Sequence, residues 1–185
     1  MPIPEGKIEV YTIGHSNRSF DRIVEILKKY KIELIVDVRS SPYSRYVPQF
    51  NRENILMSLE NSEINYWYAG DCLGGRPKDQ ACYKRKEIPD TKAKYLDLVD
   101  YGEVARRDWY KIEIAHLISK AKIFRTVIMC SEEDPNRCHR HHLIAKTLLK
   151  QNITIWHIRG QGSLEEAKMD EVNNGKKQKS LFDYV

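Results

Sequence analysis

The stretch Val127-Ile128-Met129-Cys130-Ser131-Glu132-Glu133-Asp134-Pro135-Asn136-Arg137-Cys138-His139-Arg140 decides the fold. It opens with a short apolar run, as a buried parallel strand does. Asp134-Pro135 then supplies a helix start, with Asp as N-cap and Pro at the first helical position. Leu143, Ile144, Leu148 and Leu149 give that helix an apolar stripe. Two cysteines, two arginines, three acids and His139 therefore crowd one strand–loop–helix corner. In open α/β sheets, ligands bind at such carboxyl ends of strands.

Upstream, residues 8–13 read as a first strand ending at Gly14-His15-Ser16-Asn17. Ser19 caps a helix with Phe20, Ile23, Val24, Leu27 and Tyr30 on one face, and residues 34–38 form a second apolar strand. This strand–helix–strand unit predicts parallel strands with a right-handed crossover. A polar, arginine-rich loop over 39–50 leads to a helix capped by Asn51 and carrying Ile55, Leu56 and Leu59. A third strand, 64–69, stops at Gly70-Asp71-Cys72-Leu73-Gly74-Gly75-Arg76-Pro77, where paired glycines permit close backbone approach or a tight turn. Residues 78–92 read as an irregular, charged flap. Helical pattern resumes from about Lys92, breaks near Gly102, and continues through Trp109, Ile112, Ile114 and Leu117. A fourth strand spans 126–130, its helix runs to Lys150, and a fifth strand spans 153–158. After Gly160 the apolar periodicity fades, and residues 161–180 read as a solvated helix or linker. The expected architecture is a three-layer α/β fold: a mostly parallel sheet of about five strands with helices on both faces. It occupies a single domain, 1–160, followed by a solvated extension, 161–185.

The 185 residues are 41% hydrophobic and 31% charged, a composition suited to a globular chain with a substantial core. No apolar run approaches the roughly 20 residues needed to span a membrane. Met1-Pro2-Ile3-Pro4-Glu5-Gly6-Lys7 lacks the apolar core of a signal peptide, so the cytoplasm is the expected location. Four cysteines there read as free thiols, metal ligands or catalytic groups before disulfides. A net charge of +5 permits a nucleic-acid partner without demanding one.

Strands one to four end in His15-Ser16-Asn17, Arg39, Gly74-Gly75-Arg76 and Cys130. In a parallel sheet those ends share one edge. His15, Arg39, Arg45, Arg76, Arg137 and Arg140 then ring a single anion-attracting cleft, with Ser16, Gly74, Gly75 and Cys138 as further binding positions. The alternative is that these arginines merely solvate loop edges.

Thr12-Ile13-Gly14-His15-Ser16, Asp37-Val38-Arg39, Pro48-Gln49-Phe50-Asn51, Leu73-Gly74-Gly75-Arg76 and Met129-Cys130-Ser131-Glu132 with Pro135 and Cys138-His139-Arg140 form five ordered blocks. Together they resemble the signature blocks of the domain-of-unknown-function 488 family, over about Ile8 to His157. The resemblance implies an α/β fold and a shared site, and supplies no reaction. Ser131 stands where the family commonly has Ala, His141-His142 where Ser or Leu is usual, and Cys72 where an acid or small residue is usual.

Three chemistries fit the corner. Cys130 is a candidate thiol nucleophile, facing a helix N-terminus and Arg137, with Cys138 in the first turns of that helix. Its spacing to Arg137 is similar to a cysteine-phosphatase loop, but the loop length is wrong and Glu132, Glu133 and Asp134 would repel a phosphate. Cys130, Cys138, His139, His142 and Cys72 are all zinc-type donors. However, their spacing matches no paired knuckle, and Cys138 and His139 point apart on a helix, so no metal ligand is assigned. Alternatively Cys130 is packing, while Glu132 acts as general base and His15 or His139 as acid, with His139 and Arg140 contacting a base, sugar or phosphate.

The segment 176–185 adds a separate clue, since Gln178, Leu181 and Tyr184 have the Gln-x-x-aliphatic-x-x-aromatic spacing of a sliding-clamp-binding peptide. One helical turn places Leu181 and Tyr184 side by side for an apolar pocket; otherwise these residues anchor on the domain. If the clamp binds, Tyr43, Tyr46, Trp67 and Tyr68 become candidate base-stacking platforms. The leading expectation is a DNA-associated protein of repair or replication, a hydrolase or transferase acting on nucleic acid or nucleotide, with Cys130, Glu132, His139 and His15 as candidate catalytic groups. The alternatives are a small-molecule thiol-dependent enzyme, or a non-enzymatic binding module with a structural or zinc-bound corner.

Overall fold

The structure, a computed structural model, describes residues 7–60, 62–90 and 93–169. Strands β1 (Glu9–Gly14), β2 (Leu34–Asp37), β3 (Asn65–Tyr68), β4 (Thr126–Cys130), β5 (Thr154–Arg159) and β6 (Ser163–Glu166) form one sheet in the order β3-β2-β4-β1-β5-β6. The first five are mutually parallel, and β6 runs antiparallel to β5. A mostly parallel sheet with both faces covered is thus the architecture, with six strands among the described residues where about five are expected. Strand β6 was invisible in the sequence because all four of its residues are exposed, leaving no apolar alternation to read. Among the described residues, no helix is long and apolar enough to cross a membrane.

Helix α1 (Phe20–Lys29) starts where Ser19 Oγ accepts the Arg22 N–H, as its N-cap position predicts. Helix α2 (Arg52–Leu59) follows Asn51, but the Asn51 side chain accepts the Ser44 N–H instead and ties down the preceding loop. Buried Ile23, Ile26, Leu27, Ile55 and Leu59 of these helices cover one sheet face, against Ile13, Ile35, Val127 and Met129. The other face carries α6 (Asp108–Ala121) and the segment after β4, with Ile114, Leu117, Leu143, Ile144 and Leu148 against Val36, Ile128 and Ile155. Strand side chains alternate between faces, so Cys130 shares this second face with Ile128. Short helices α3 (Gly70–Leu73), α4 (Tyr95–Leu98) and α5 (Tyr101–Arg106) complete that side. The expected break near Gly102 falls instead at Arg107, because Asp100 caps α5 and carries it through the glycine.

The segment after β4 departs most from expectation. Asp134 caps only a single 3-10 turn, Pro135–Arg137, after which Cys138 is extended (φ −137, ψ 141). Helix resumes at Arg140–Ala145 in π form and ends as α7 (Lys146–Leu149). Cys138 therefore precedes the helix rather than lying in its first turns.

Strand β4 lies between β1 and β2. The chain leaves β1 through α1 on one face and β4 through the π-helical segment on the other, which makes the β1/β4 edge a switch point of the sheet. Arg140 fixes that edge. Its guanidinium has no exposure and donates to the carbonyls of Glu132 and Glu133 and, through Nε at 3.3 Å, to Thr12 Oγ1. Thr12 in turn donates to His157 Nδ1 at 2.7 Å, and His157 Nε2–H faces His141 Nδ1 at 3.1 Å. Gly14 completes the contact, since a Cβ there would lie 1.7 Å from the Glu132 carbonyl oxygen.

Two buried histidines are held neutral by this packing. Burial first, then the neighbouring His141, Arg140 and Arg159, pushes His157 down to about 3. Burial also pushes His15 down to about 4, with Arg39 adding to the effect against the Ser16 carbonyl. Both values lie below the ordinary 6.5, so unfolding takes up protons as pH falls. The stability they confer is complete above about pH 6.5 and declines below it, by up to about 1.4 kcal/mol per pH unit per group, until the folded values are reached. The urea midpoint therefore falls between about pH 7.5 and about pH 5; an unchanged or higher midpoint at the lower pH contradicts the assignment.

Candidate functional site

Parallel pairing brings the ends of β2 and β4 together, and a cleft of about 380 Å³ opens there. Its floor is Cys130, Cys138 and His139. Cys130 arrives from β4, while the extended backbone at Cys138 turns the second thiol and the next side chain back towards it. The sulfurs stand 3.9 Å (Cys130) and 3.8 Å (Cys138) from His139 Nδ1. On the opposite side of the ring, Nε2 lies 3.1 Å from the Val38 carbonyl. A carbonyl only accepts, so Nε2 carries a proton, and in the neutral ring Nδ1 presents a lone pair to the thiols. Gly75 lies against this ring, and a Cβ there would be 2.8 Å from Nδ1. Cys138 and His139 do not diverge as expected of two helical neighbours, because Cys138 is extended and only His139 has helical dihedrals.

The thiols are unequal. The neighbouring Cys130 thiol holds Cys138 well below the ordinary thiol range, with Arg140 acting in the same direction. The same interaction pushes Cys130 up, and its burial adds to the rise. Cys138, not Cys130, is thus the readier thiolate. The helix N-terminus expected to activate Cys130 is only a 3-10 turn, Pro135–Arg137, and Cys130 is not activated by it.

One wall is electrostatically closed. Arg39 donates to Asp37 through Nε (2.9 Å) and a terminal nitrogen (2.5 Å), and through its other terminal nitrogen to His15 Nε2 at 3.3 Å. Asp37 also accepts from Tyr66 at 2.7 Å. Arg39 therefore lines the cleft with each of its three guanidinium nitrogens engaged. His15 supports it from behind: the ring is buried, donates to the Ser16 carbonyl at 2.8 Å and stacks on Phe50 at 4.0 Å.

The rim is open. Arg76 and Arg137 are exposed, line the cleft and, among the described residues, pair with no carboxylate. Arg76 stacks on Tyr95 at 4.6 Å, and its backbone N–H donates to Ser40 Oγ at 3.0 Å. Of the three loop acids only Glu132 lines the cleft. Glu133 is bound by Arg159 and the Gly160 N–H, which hold its carboxyl below the usual range, and Asp134 caps the Asn136 N–H. The triple repulsion against an anion anticipated from the sequence is thereby reduced to one carboxylate.

Of the residues expected to converge, Arg39, Gly75, Arg76, Cys130, Glu132, Arg137, Cys138 and His139 line this cleft. His15 and Arg140 are buried behind it, Gly74 packs against Ser40, and Ser16 joins the Ser131 carbonyl through its N–H at 2.8 Å. Arg45 is exposed and does not line it. Sequence reasoning missed Ser40, Tyr95 and Tyr101, which have no patterning that separates them from ordinary loop and helix residues. Of the proposed stacking aromatics, Tyr43 lines the cleft at 70% exposure. Tyr46, 86% exposed, does not, while Trp67 lies under Lys120 and Tyr68 under Arg52. Gln178, Leu181 and Tyr184 lie outside the described residues.

All four cysteines are free. Cys72 and Cys82 stand outside the floor, and His142 Nε2 is spent on the Asn136 carbonyl at 2.7 Å. No curated protein and no solved structure matches the chain. A family model described as "Domain of unknown function DUF488" matches residues 19–147, a segment that contains every residue lining the cleft. Matched over more than half its length, from α1 into α7, the chain belongs to the DUF488 family.

Proposed function

We propose that this protein is a DNA-associated enzyme, a hydrolase or transferase acting on a nucleic acid or nucleotide at the cleft between β2 and β4. The observation that carries the reading is the pairing of a reactive floor with an unspent cationic rim. Cys130, Cys138 and His139 converge below, and the guanidiniums of Arg76 and Arg137 stand above with no carboxylate partner among the described residues. Those guanidiniums suit a phosphate, and the exposed Tyr43 offers an aromatic face beside it. Glu132 is the one carboxylate of the cleft lining among the described residues and takes the role of proton acceptor. Free thiols throughout accord with a reducing cytoplasm.

The test uses the full chain with nucleoside mono-, di- and triphosphates and short single-stranded oligonucleotides. Arg76→Ala and Arg137→Ala each weaken oligonucleotide binding and lower the slope of log affinity against log salt by about one. Cys138→Ser leaves binding in place and reduces turnover by on the order of 10²-fold or more. Absence of binding to every probe, or binding unchanged in both arginine variants, contradicts the reading.

Recruitment by a sliding clamp through residues 176–185, with Gln178, Leu181 and Tyr184 as anchors, belongs to the same proposal and is supported by their spacing alone. Clamp-bound beads capture the full chain and not a version lacking residues 176–185. Equal capture of both, or of neither, rules recruitment out.

A further inference from the structure

We propose that Cys130, Cys138 and His139 bind a zinc ion, leaving a fourth coordination position open to the cleft. This deepens the reading of the cleft as an active site, and rests on that reading only for the use made of the open position.

Three features of the floor carry the proposal. The two sulfurs and the imidazole nitrogen lie within 4.8 Å of one another. Tetrahedral ligands with Zn–S near 2.3 Å and Zn–N near 2.0 Å stand roughly 3.5 Å apart. The two sulfur-to-Nδ1 separations, 3.9 and 3.8 Å, reach that spacing with shifts of a few tenths of an ångström. The second feature is the tautomer. Nε2–H is committed to the Val38 carbonyl, so in the neutral ring the nitrogen facing the sulfurs is the one with a lone pair. A ligating histidine is held this way, its outer N–H donated to a backbone carbonyl that fixes ring and tautomer together.

The third feature is the space left at the floor. Gly75 approaches the His139 ring so closely that a methyl group would stand 2.8 Å from Nδ1. Two thiolates and one imidazole are a borderline-soft donor set that suits zinc over magnesium or calcium. Three protein ligands with a vacant fourth position are the composition of reactive zinc sites, whereas purely structural sites close with four. Cys72, Cys82 and His142 lie outside the cluster and do not supply a fourth ligand there. The competing use of the pair is a Cys130–Cys138 disulfide, which would need no imidazole lone pair.

Zinc is measured on untagged full-length protein without substrate, so that its outcome is independent of nucleotide binding. The expected result is one zinc per chain after dialysis, and a cobalt derivative with thiolate-to-metal charge-transfer absorption. Cys130→Ser, Cys138→Ser and His139→Ala each weaken zinc by at least about 100-fold, the upper end of what losing an outer partner of a ligand costs. Cys72→Ser and Cys82→Ser bind as the parent does. Gly75→Ala, with both cysteines intact, also binds more weakly, and circular dichroism confirms that each variant is folded. Substoichiometric zinc in the parent, or parental affinity in folded Cys130→Ser and Cys138→Ser, overturns the proposal. Oligonucleotide binding that persists in metal-free protein and falls in Arg76→Ala would then leave the reading of the cleft standing alone; zinc bound without nucleotide affinity would do the reverse.

Discussion

The structure depends on one buried cation. Arg140 has no exposure and no carboxylate partner among the described residues; its charge is solvated by the carbonyls of Glu132 and Glu133 and by Thr12. A buried charge without such partners costs several kcal/mol, and hydrogen bonds to charged groups return about 1.5–3 kcal/mol each. The loop after β4 is therefore compelled to turn its carbonyls inward. That turn leaves Cys130 at the head of the cleft and, a few residues later, returns Cys138 and His139 to the same point. Gly14 is the matching constraint on β1, where any side chain would occupy the position of the Glu132 carbonyl.

A division of labour among the arginines follows. Arg140 is spent on backbone, Arg39 on Asp37 and His15, and Arg18 and Arg159 on Glu133. Arg76 and Arg137 alone combine placement at the cleft with exposure and freedom from carboxylates among the described residues. Counting arginines at strand ends thus overstates the anion-binding capacity, and counting acids in the loop overstates the repulsion. Hydrogen-bond saturation separates the structural charges from the available ones.

The central strands β2 and β4 were legible because each is a short, fully buried and mostly apolar run, and α1 was legible because Ser19 and its apolar face agree. Convergence of β2 and β4 ends followed from parallel pairing. The local geometry at Cys138 was not legible. Asp134-Pro135 has the chemistry of a helix start, and nothing in composition says that its turn closes after three residues and restarts in π form. That misplacement removed Cys138 and His139 from consideration as joint ligands. Strand β6 escaped because an exposed edge pairs through backbone alone, and the fate of Glu133 depended on Arg159, twenty-six residues away in the chain.

The central claim is that His139 turns an unprotonated Nδ1 towards two thiols while Nε2 is held by Val38. Long-range proton–nitrogen correlation NMR of the imidazole, with His139 assigned by its Asn variant, tests this directly. The account predicts the Nε2–H tautomer near neutral pH, with and without zinc. An Nδ1–H tautomer would put a proton where the sulfurs and the metal require a lone pair, and would contradict the account.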